Sequence, residues 1–378
     1  MTAYRTPLVA VLGAGGAVGG SAARSIADFG LGRIRVGGRH PGALDPVILR
    51  LGNRAEEVAV DAASPESLAR FCAGSQVVVN CTGSRGASRS AAAAAALAAG
   101  AHYVDPGGDQ KLLGQLAGLE ASGSRCAVLG AGVLPGLSVL VPRWLAAAGQ
   151  EPPFTLTAYM GTRDRMTLAS AAEFLLSLNG TDGEAQAMWR AGARISHALE
   201  PLTGTDLPFF AGEMVAYPYL SGEAERLARQ LAADELRWYF VFEGDRVLTA
   251  LSRLAERLRR GADLDILARE LVQVIDVEMF GRTPAQQLVF QLDGSVSGRP
   301  VTRVAVLRAT STYELTGTLT ALAAAEVMKG SVPAGPGFAG EVLDPGVVAA
   351  LEGLPGLAGL HVLDQPLPAY AQAVQGTI

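Results

Sequence analysis

Five glycines fall among the eight residues Gly13–Gly20, within the stretch VLGAGGAVGG. Glycine serves chemistry here by leaving room. The first turn of a helix carries unpaired backbone N–H groups and the positive end of the helix dipole, so a phosphate can rest there if no side chain blocks it. Leu8–Leu12 reads as a short buried strand and Val18–Phe29 as a helix, which puts the glycines at a strand-to-helix turn. The register Gly13-x-Gly15-x-x-Val18 lacks its third glycine, whereas Gly13-x-x-Gly16-x-x-Gly19 is complete. Gly15 then eases the turn, and Ala17 and Val18 open the helix beside the phosphate. An acid that holds the ribose 2′-hydroxyl of NAD is expected about 20–25 residues further on, at the end of the next strand. The chain reads Gly37, Gly38, Arg39, His40 there. A guanidinium without an acid suits a 2′-phosphate through a charge-assisted bidentate contact, so the pattern favours NADP.

The elements that must position this turn alternate along the first third of the chain. Strands are expected at Leu8–Leu12, Ile34–Gly37, Val58–Asp61, Val77–Asn80, His102–Asp105 and Cys126–Leu129, with helices between them. Ser64 followed by Pro65 makes an N-cap and first-turn pair. Short apolar strands alternating with helices specify a Rossmann-type, doubly wound parallel sheet, an α/β fold, over residues 1–140. Ligands of such sheets bind beyond the strand ends. Three successive ends carry small and polar residues: NCTG at Asn80–Gly83, HYVDPGGD at His102–Asp109 and GAGVLPGLS at Gly130–Ser138.

Beyond Glu151 the pattern changes. FTLTAYM, LRWYFVFEG and the hairpin-like QQLVFQLDGSVSGRPVTRVAVLRAT alternate as one-face strands do, and helical stretches interrupt them at Leu168–Leu178, Glu223–Glu235, Arg246–Arg260 and Leu264–Ile275. A second α+β domain on an antiparallel or mixed sheet is expected over residues 141–330. A C-terminal segment, 331–378, then returns to the first domain. Residues 180–235 carry too many Gly, Pro and Thr interruptions for their elements to be assigned.

Composition narrows the classes. At 378 residues two domains are expected, and 49% hydrophobic against 18% charged residues describes a packed globular chain. A net charge of −5 leaves no basic footprint for nucleic acid. The alanine-rich run from Ser90 is too short to span a membrane, and no signal peptide is evident, so a cytoplasmic protein is expected. Cys72, Cys81 and Cys126 and His40, His102, His197 and His361 lack ligand spacing, which implies no metal site. Short-chain dehydrogenases place a tyrosine four residues before a lysine. Here Gly107 precedes Lys111 and Ala325 precedes Lys329 at that spacing, so that active site is absent.

These residues resemble the saccharopine dehydrogenase-like oxidoreductases. The likeness rests on GAGGAVG, VDAASPESLARFCAGSQVVVNCTG, GAHYVDPGGD, GAGVLPGLS and the tail GTLTALAAAEVMKGSVPAGPG. It covers residues 8–140 well and 313–350 loosely. The resemblance implies hydride exchange between NADPH and a carbon–nitrogen double bond, with the protein orienting the reactants and delivering a proton to nitrogen. Tyr103, Asp105 and Asp109 are the candidates for proton supply and substrate orientation. The alternatives for them are a core tyrosine with a satisfied hydroxyl and a capping aspartate. Asp61, Cys81, Thr82 and Gly83 are assigned to cofactor contact, no base being spaced to activate Cys81 as a nucleophile.

Within the family, stand-alone imine reductases of siderophore assembly lines reduce a thiazoline ring while it is tethered to a carrier protein, and the length and NADP preference look like theirs. Arg163 and Arg165 are where a saccharopine-type or opine-type amino-acid dehydrogenase would hold substrate carboxylates, although the neighbouring helix LASAAEFLLSL is largely apolar. Arg246, Arg253, Arg257 and Arg260 share a broad helical face that could dock an acidic carrier protein or simply be solvated. A non-catalytic NADP-binding regulator is the third reading. A homodimer is expected.

Overall fold

The computed structural model describes residues 6–40, 42, 44–83, 87–118, 124–178, 183–204 and 206–370. The chain forms two compact units: residues 1–140 with 313–356, and residues 141–312 with 357–378.

The first unit is built on a seven-stranded sheet. Its strands are β1 (Leu8–Leu12), β2 (Arg33–Gly38), β3 (Ala55–Ala59), β4 (Val77–Asn80), β5 (His102–Val104) and β6 (Cys126–Leu129), together with Gly335–Phe338. Their order is Gly335–Phe338, β6, β5, β4, β1, β2, β3, and every pairing is parallel. Helices cover both faces of such a sheet, which is why β1 and β4 are apolar runs rather than alternating ones. The chain reverses its direction of build between β1 and β4, the place where open α/β sheets bind ligands. Register aligns the strand ends: Leu12 lies opposite both Gly37 and Asn80, and Val104 opposite both Val79 and Val128.

The intervening helices are α1 (Ala17–Asp28), α2 (Asp45–Leu51), α3 (Pro65–Cys72), α4 (Ala87–Ala98) and α5 (Gln110–Ala117). Ser64 caps α3 by accepting from the Ser67 N–H, with Pro65 in the first turn. Leu68 and Phe71 of α3, the alanines of α4 and Leu112 and Leu116 of α5 close one core with Tyr103 and Phe338. The helix Thr312–Lys329 packs against α1, where Ser21 Oγ donates to the Glu314 carbonyl and Ser25 shares a hydrogen bond with Thr318.

In the second unit a ten-stranded mixed sheet centres on Glu151–Arg163, which pairs parallel with Ala233–Glu243 and antiparallel with Ala285–Val296. The hairpin Ala285–Val296/Arg299–Ala309 turns on Ser297 and Gly298, at φ 51° and 75°. Two consecutive positive φ values match the right-handed twist of the flanking strands. Tyr159 and Tyr239 stack across the parallel pair with centroids 5.1 Å apart, while Trp238 and Phe290 pack together 6.2 Å apart. Helices Leu168–Leu178, Arg246–Arg259 and Leu264–Glu278 bury Leu175, Leu251, Leu254, Leu267 and Leu271 in a core of their own.

Several boundaries differ from the sequence reading. The third strand is Ala55–Ala59 instead of Val58–Asp61, because its pairing with β2 ends at Gly38 opposite Ala59. The helix expected at Glu223–Glu235 stops at Gln230, and its tail joins the strand Ala233–Glu243. The helix Thr312–Lys329 is buried nearly all round and shows no amphipathic period to read. The chain divides at 313 and 357 rather than at 330. Gly335–Phe338 pairs with β6 of the first unit, while Leu357–Leu363 pairs antiparallel with Arg299–Ala309 of the second.

Gly317 is where the long helix meets α1. A Cβ there would lie 2.5 Å from Ser21 Cβ and 2.6 Å from the Ala22 nitrogen, whereas one on Gly114 of α5 would meet nothing within 4 Å. Gly317→Ala is therefore expected to cost about 1–3 kcal/mol by overpacking. Gly114→Ala is expected to gain about 0.5–1 kcal/mol from helix propensity. Thermal unfolding of the two variants beside the parent chain measures both signs.

Candidate functional site

The glycine turn fits a dinucleotide phosphate. Gly13 has φ +81°, a left-handed conformation in which a side chain is strained, and a Cβ there would lie 2.8 Å from the backbone of Cys81 and Thr82. A Cβ on Gly19 would lie 2.2 Å from the Gly13 carbonyl oxygen, so α1 can approach the turn only through glycine. The Gly13 and Ala14 N–H groups donate to the Gly37 carbonyl, tying the turn to the end of β2. Helix α1 starts on Gly16, with no side-chain cap and no acid in its first turn, whereas α3 and α5 are capped by Ser64 and Asp109. Its leading N–H groups are thus left for an anion. Gly15, Gly16 and Ala17 are exposed and Val18 is half-buried.

Arg39 follows the end of β2 and is exposed, as is His40. Asp61, also exposed, accepts the N–H of Ala63 with its carboxylate, and its own N–H donates to Ser67 Oγ. Its order therefore lies in its own turn. Cys81 and Thr82 close against Gly13, and the Cys81 N–H donates to the Leu12 carbonyl. Burial, and then the charge of Asp105, push the Cys81 thiol well up, so it does not offer a thiolate. Gly83 has φ +57°.

The ends of β4 and β5 hold a polar network that begins with a residue the motif reading passed over. Asn80 is 1% exposed, and its Nδ2 donates to Tyr103 Oη at 2.8 Å and to Asp105 Oδ2 at 3.0 Å. Tyr103 Oη donates to Asp105 Oδ2 at 2.7 Å, and the Gly107 N–H donates to Oδ1 at 2.8 Å. Arg89 Nε lies 3.3 Å from Asp105 Oδ2. On the other side Asn80 Oδ1 accepts from Thr82 Oγ1 at 2.8 Å and from the Thr82 N–H at 3.3 Å. The signal for Asn80 was present as the one polar residue ending VVVN. Val78 lies opposite Tyr103, so period two places Asn80 on the face of Tyr103 and Asp105.

The three candidates for proton supply differ in burial. Tyr103 is 0% exposed and Asp105 1% exposed. Burial first, and Asp105 second, raise the Tyr103 phenol well above the ordinary tyrosine range, so it stays protonated as a committed donor. Both residues bond each other and Asn80 at the strand end. Asp109 is exposed, and its Oδ1 accepts from the Leu112 N–H as the cap of α5. Of the three it alone is exposed.

Arg163 and Arg165 of the second unit are paired with carboxylates. Arg163 bonds Glu243 at 2.7 Å and the Thr283 carbonyl, and Arg165 bonds Asp276 at 3.1 Å. On the helix Arg246–Arg259 and its cap, Arg246 pairs with Glu278, Arg257 with Glu270 and Arg260 with Glu256. Glu256 also pairs with Arg259, so the arginines of this face outnumber their carboxylates, and Arg253 has no carboxylate partner among the described residues. No group of three His, Cys, Asp or Glu among the described residues could hold a metal ion. No described helix is long and apolar enough to cross a membrane.

Two outcomes test these assignments. Arg39→Ala is expected to weaken NADPH binding by tenfold or more, about 1.4 kcal/mol or above, and to leave NADH binding unchanged, as read by nicotinamide fluorescence titration. Tyr103→Phe is expected to lose about 1–3 kcal/mol of stability with its hydrogen bond to a charged group. It is expected to keep turnover near the parent rate, where loss of a general acid would cost roughly 10²–10⁴-fold. The phenol also makes the folded state the more protonated one above pH ~10, the ordinary tyrosine range. Stability therefore falls as pH rises through that range, and the fall is shallower in Tyr103→Phe.

Comparison with known proteins places these features. Residues 9–119 match the family model of the saccharopine dehydrogenase NADP binding domain. No curated protein matches the chain in sequence. Among solved structures, apo saccharopine dehydrogenase (L-Glu forming) from Saccharomyces cerevisiae superposes over 94% of this chain and 100% of its own, with TM-score 0.64 and 14% identity. DAP dehydrogenase of C. glutamicum, in complex with DAP, covers 91% of this chain and 98% of its own, with TM-score 0.49 and 15% identity. The chain has the α/β fold of the yeast enzyme, and residues 9–119 form an NADP-binding domain of the saccharopine dehydrogenase type.

Proposed function

We propose that this protein is an NADPH-dependent oxidoreductase that reduces a carbon–nitrogen double bond, and that its substrate is a thiazoline-type cyclic imine, free or tethered to a carrier protein in siderophore assembly. The observation that carries the redox part is the uncapped glycine start of α1, set between exposed Arg39 and the Asn80–Tyr103–Asp105 strand ends. The N–H groups of the first turn would hold the pyrophosphate and Arg39 the 2′-phosphate. Bound NADPH supplies the hydride, and the protein supplies orientation and a dry, fixed surface. Addition of a hydride to carbon and a proton to nitrogen turns the imine into an amine. Asp109 is the exposed carboxyl available to pass that proton from solvent.

The choice of an uncharged substrate is supported by the pairing of Arg163 and Arg165. A free amino acid needs cations for its carboxylates, and these two already bond Glu243 and Asp276, Glu243 being shared with Arg282.

Loss of nicotinamide absorbance on adding NADPH with a thiazoline substrate tests the reading. Turnover is expected with the thiazoline and not with glutamate plus an amino-acid semialdehyde. Turnover with the second pair alone would make this an amino-acid dehydrogenase. Asp109→Asn, which keeps an effective helix cap, is expected to lower kcat by tenfold or more and to leave NADPH affinity unchanged.

A further inference from the structure

We infer that Asn80 is a positioning residue for the nucleotide site: its amide couples the buried Asp105 carboxylate to the wall of the glycine turn. The inference rests on the NADPH reading and adds a residue to it. An asparagine side chain offers two N–H donors and a carbonyl oxygen with two lone pairs. Asn80 uses all four, giving its donors to Tyr103 and Asp105 and taking both bonds of its acceptor from Thr82. Its orientation is therefore fixed in sign, donors toward the carboxylate and acceptor toward Thr82. The Cys81–Thr82 peptide held in this way is the surface that a Cβ on Gly13 would strike at 2.8 Å. One amide thus sets the position of the wall against which the phosphate turn is built. Leu12, on the other flank of Asn80, brings no charge, so the charge that orients the amide comes from the β5 side.

Replacement by aspartate keeps the shape and reverses the sign. The new carboxyl would face Tyr103, Asp105 and, through Asp105, Arg89, with Cys81 beside it in the chain. Two carboxylates about 3 Å apart cannot both ionise comfortably. Protonated, the new group donates to Asp105 as the amide does. Ionised, it repels Asp105, and as it turns away it carries Thr82, whose two donors stay bonded to it.

The test is the affinity of the full chain for NADPH, titrated by fluorescence between pH 5.5 and 8.5, with the fold followed by circular dichroism. Asn80→Asp is expected to bind near the parent affinity at the acid end. At the alkaline end it is expected to bind about tenfold or more weakly relative to the parent at the same pH, and a role in stability alone would not give that profile. Thr82→Val, which removes only the Oγ1 link, is expected to weaken binding severalfold at every pH. A folded Asn80→Asp variant with parental affinity at pH 8.5 overturns the inference. If that variant does not fold, parental affinity in Thr82→Val overturns it. A parent chain that binds neither NADPH nor NADH is a different result, and refutes the cofactor reading itself.

Discussion

A carboxylate cut off from water must find its hydrogen-bond donors inside the protein, and it dictates what surrounds it. Asp105 is 1% exposed and collects Asn80, Tyr103 and the Gly107 N–H, with Arg89 as its counter-charge. Each partner comes from a different part of the parallel sheet: the end of β4, the middle of β5, the loop after β5 and the first turn of α4. The carboxylate is satisfied only when these strands are in register. It is therefore a check on the assembly of the first unit as well as part of its chemistry. An apolar residue of the same size would pack, but it would not demand that β4 and β5 end together.

The same demand explains why the first unit can be open and exact in one place. The phosphate turn has no side chains of its own to define it, and Gly13, Gly16 and Gly19 are there for what they lack. Its shape comes from neighbours: the Gly37 carbonyl on one side and the Cys81–Thr82 peptide on the other. A bare helix start is a good anion site only if the backbone around it is held by something else, and the polar strand ends provide that support.

Much of this was legible in the residues. Glycine spacing, the Ser64–Pro65 cap and the Ser297–Gly298 hairpin are local signals, each decided by backbone sterics within a few residues. The parallel sheet followed from apolar runs that need cover on both faces. What stayed hidden was set by distant partners. Tyr103 and Asp105 look like acid–base candidates because their side chains could do such work, and only burial shows that they are committed to one another. Asn80 was quoted within its motif and passed over, since the meaning of an amide depends on which atoms lie at its two ends. The arginines on the Arg246–Arg259 helix looked like a basic face until Glu278, Glu270 and Glu256 were found beside them. The helix Thr312–Lys329 carries no readable period, because burial on nearly all sides erases the one by which helices are recognised.

The division of the chain also bears on how the protein is made. The second unit, residues 141–312, is spliced into the first, whose sheet is finished by Gly335–Phe338 beside β6 and whose α1 face is covered by Thr312–Lys329. A ribosome releases the six earlier strands long before either covering piece exists. Until some 330 residues have been translated, β6 presents an open edge, and open edges invite pairing with other nascent chains. The nucleotide-binding half, although it comes first in sequence, is thus obliged to mature late.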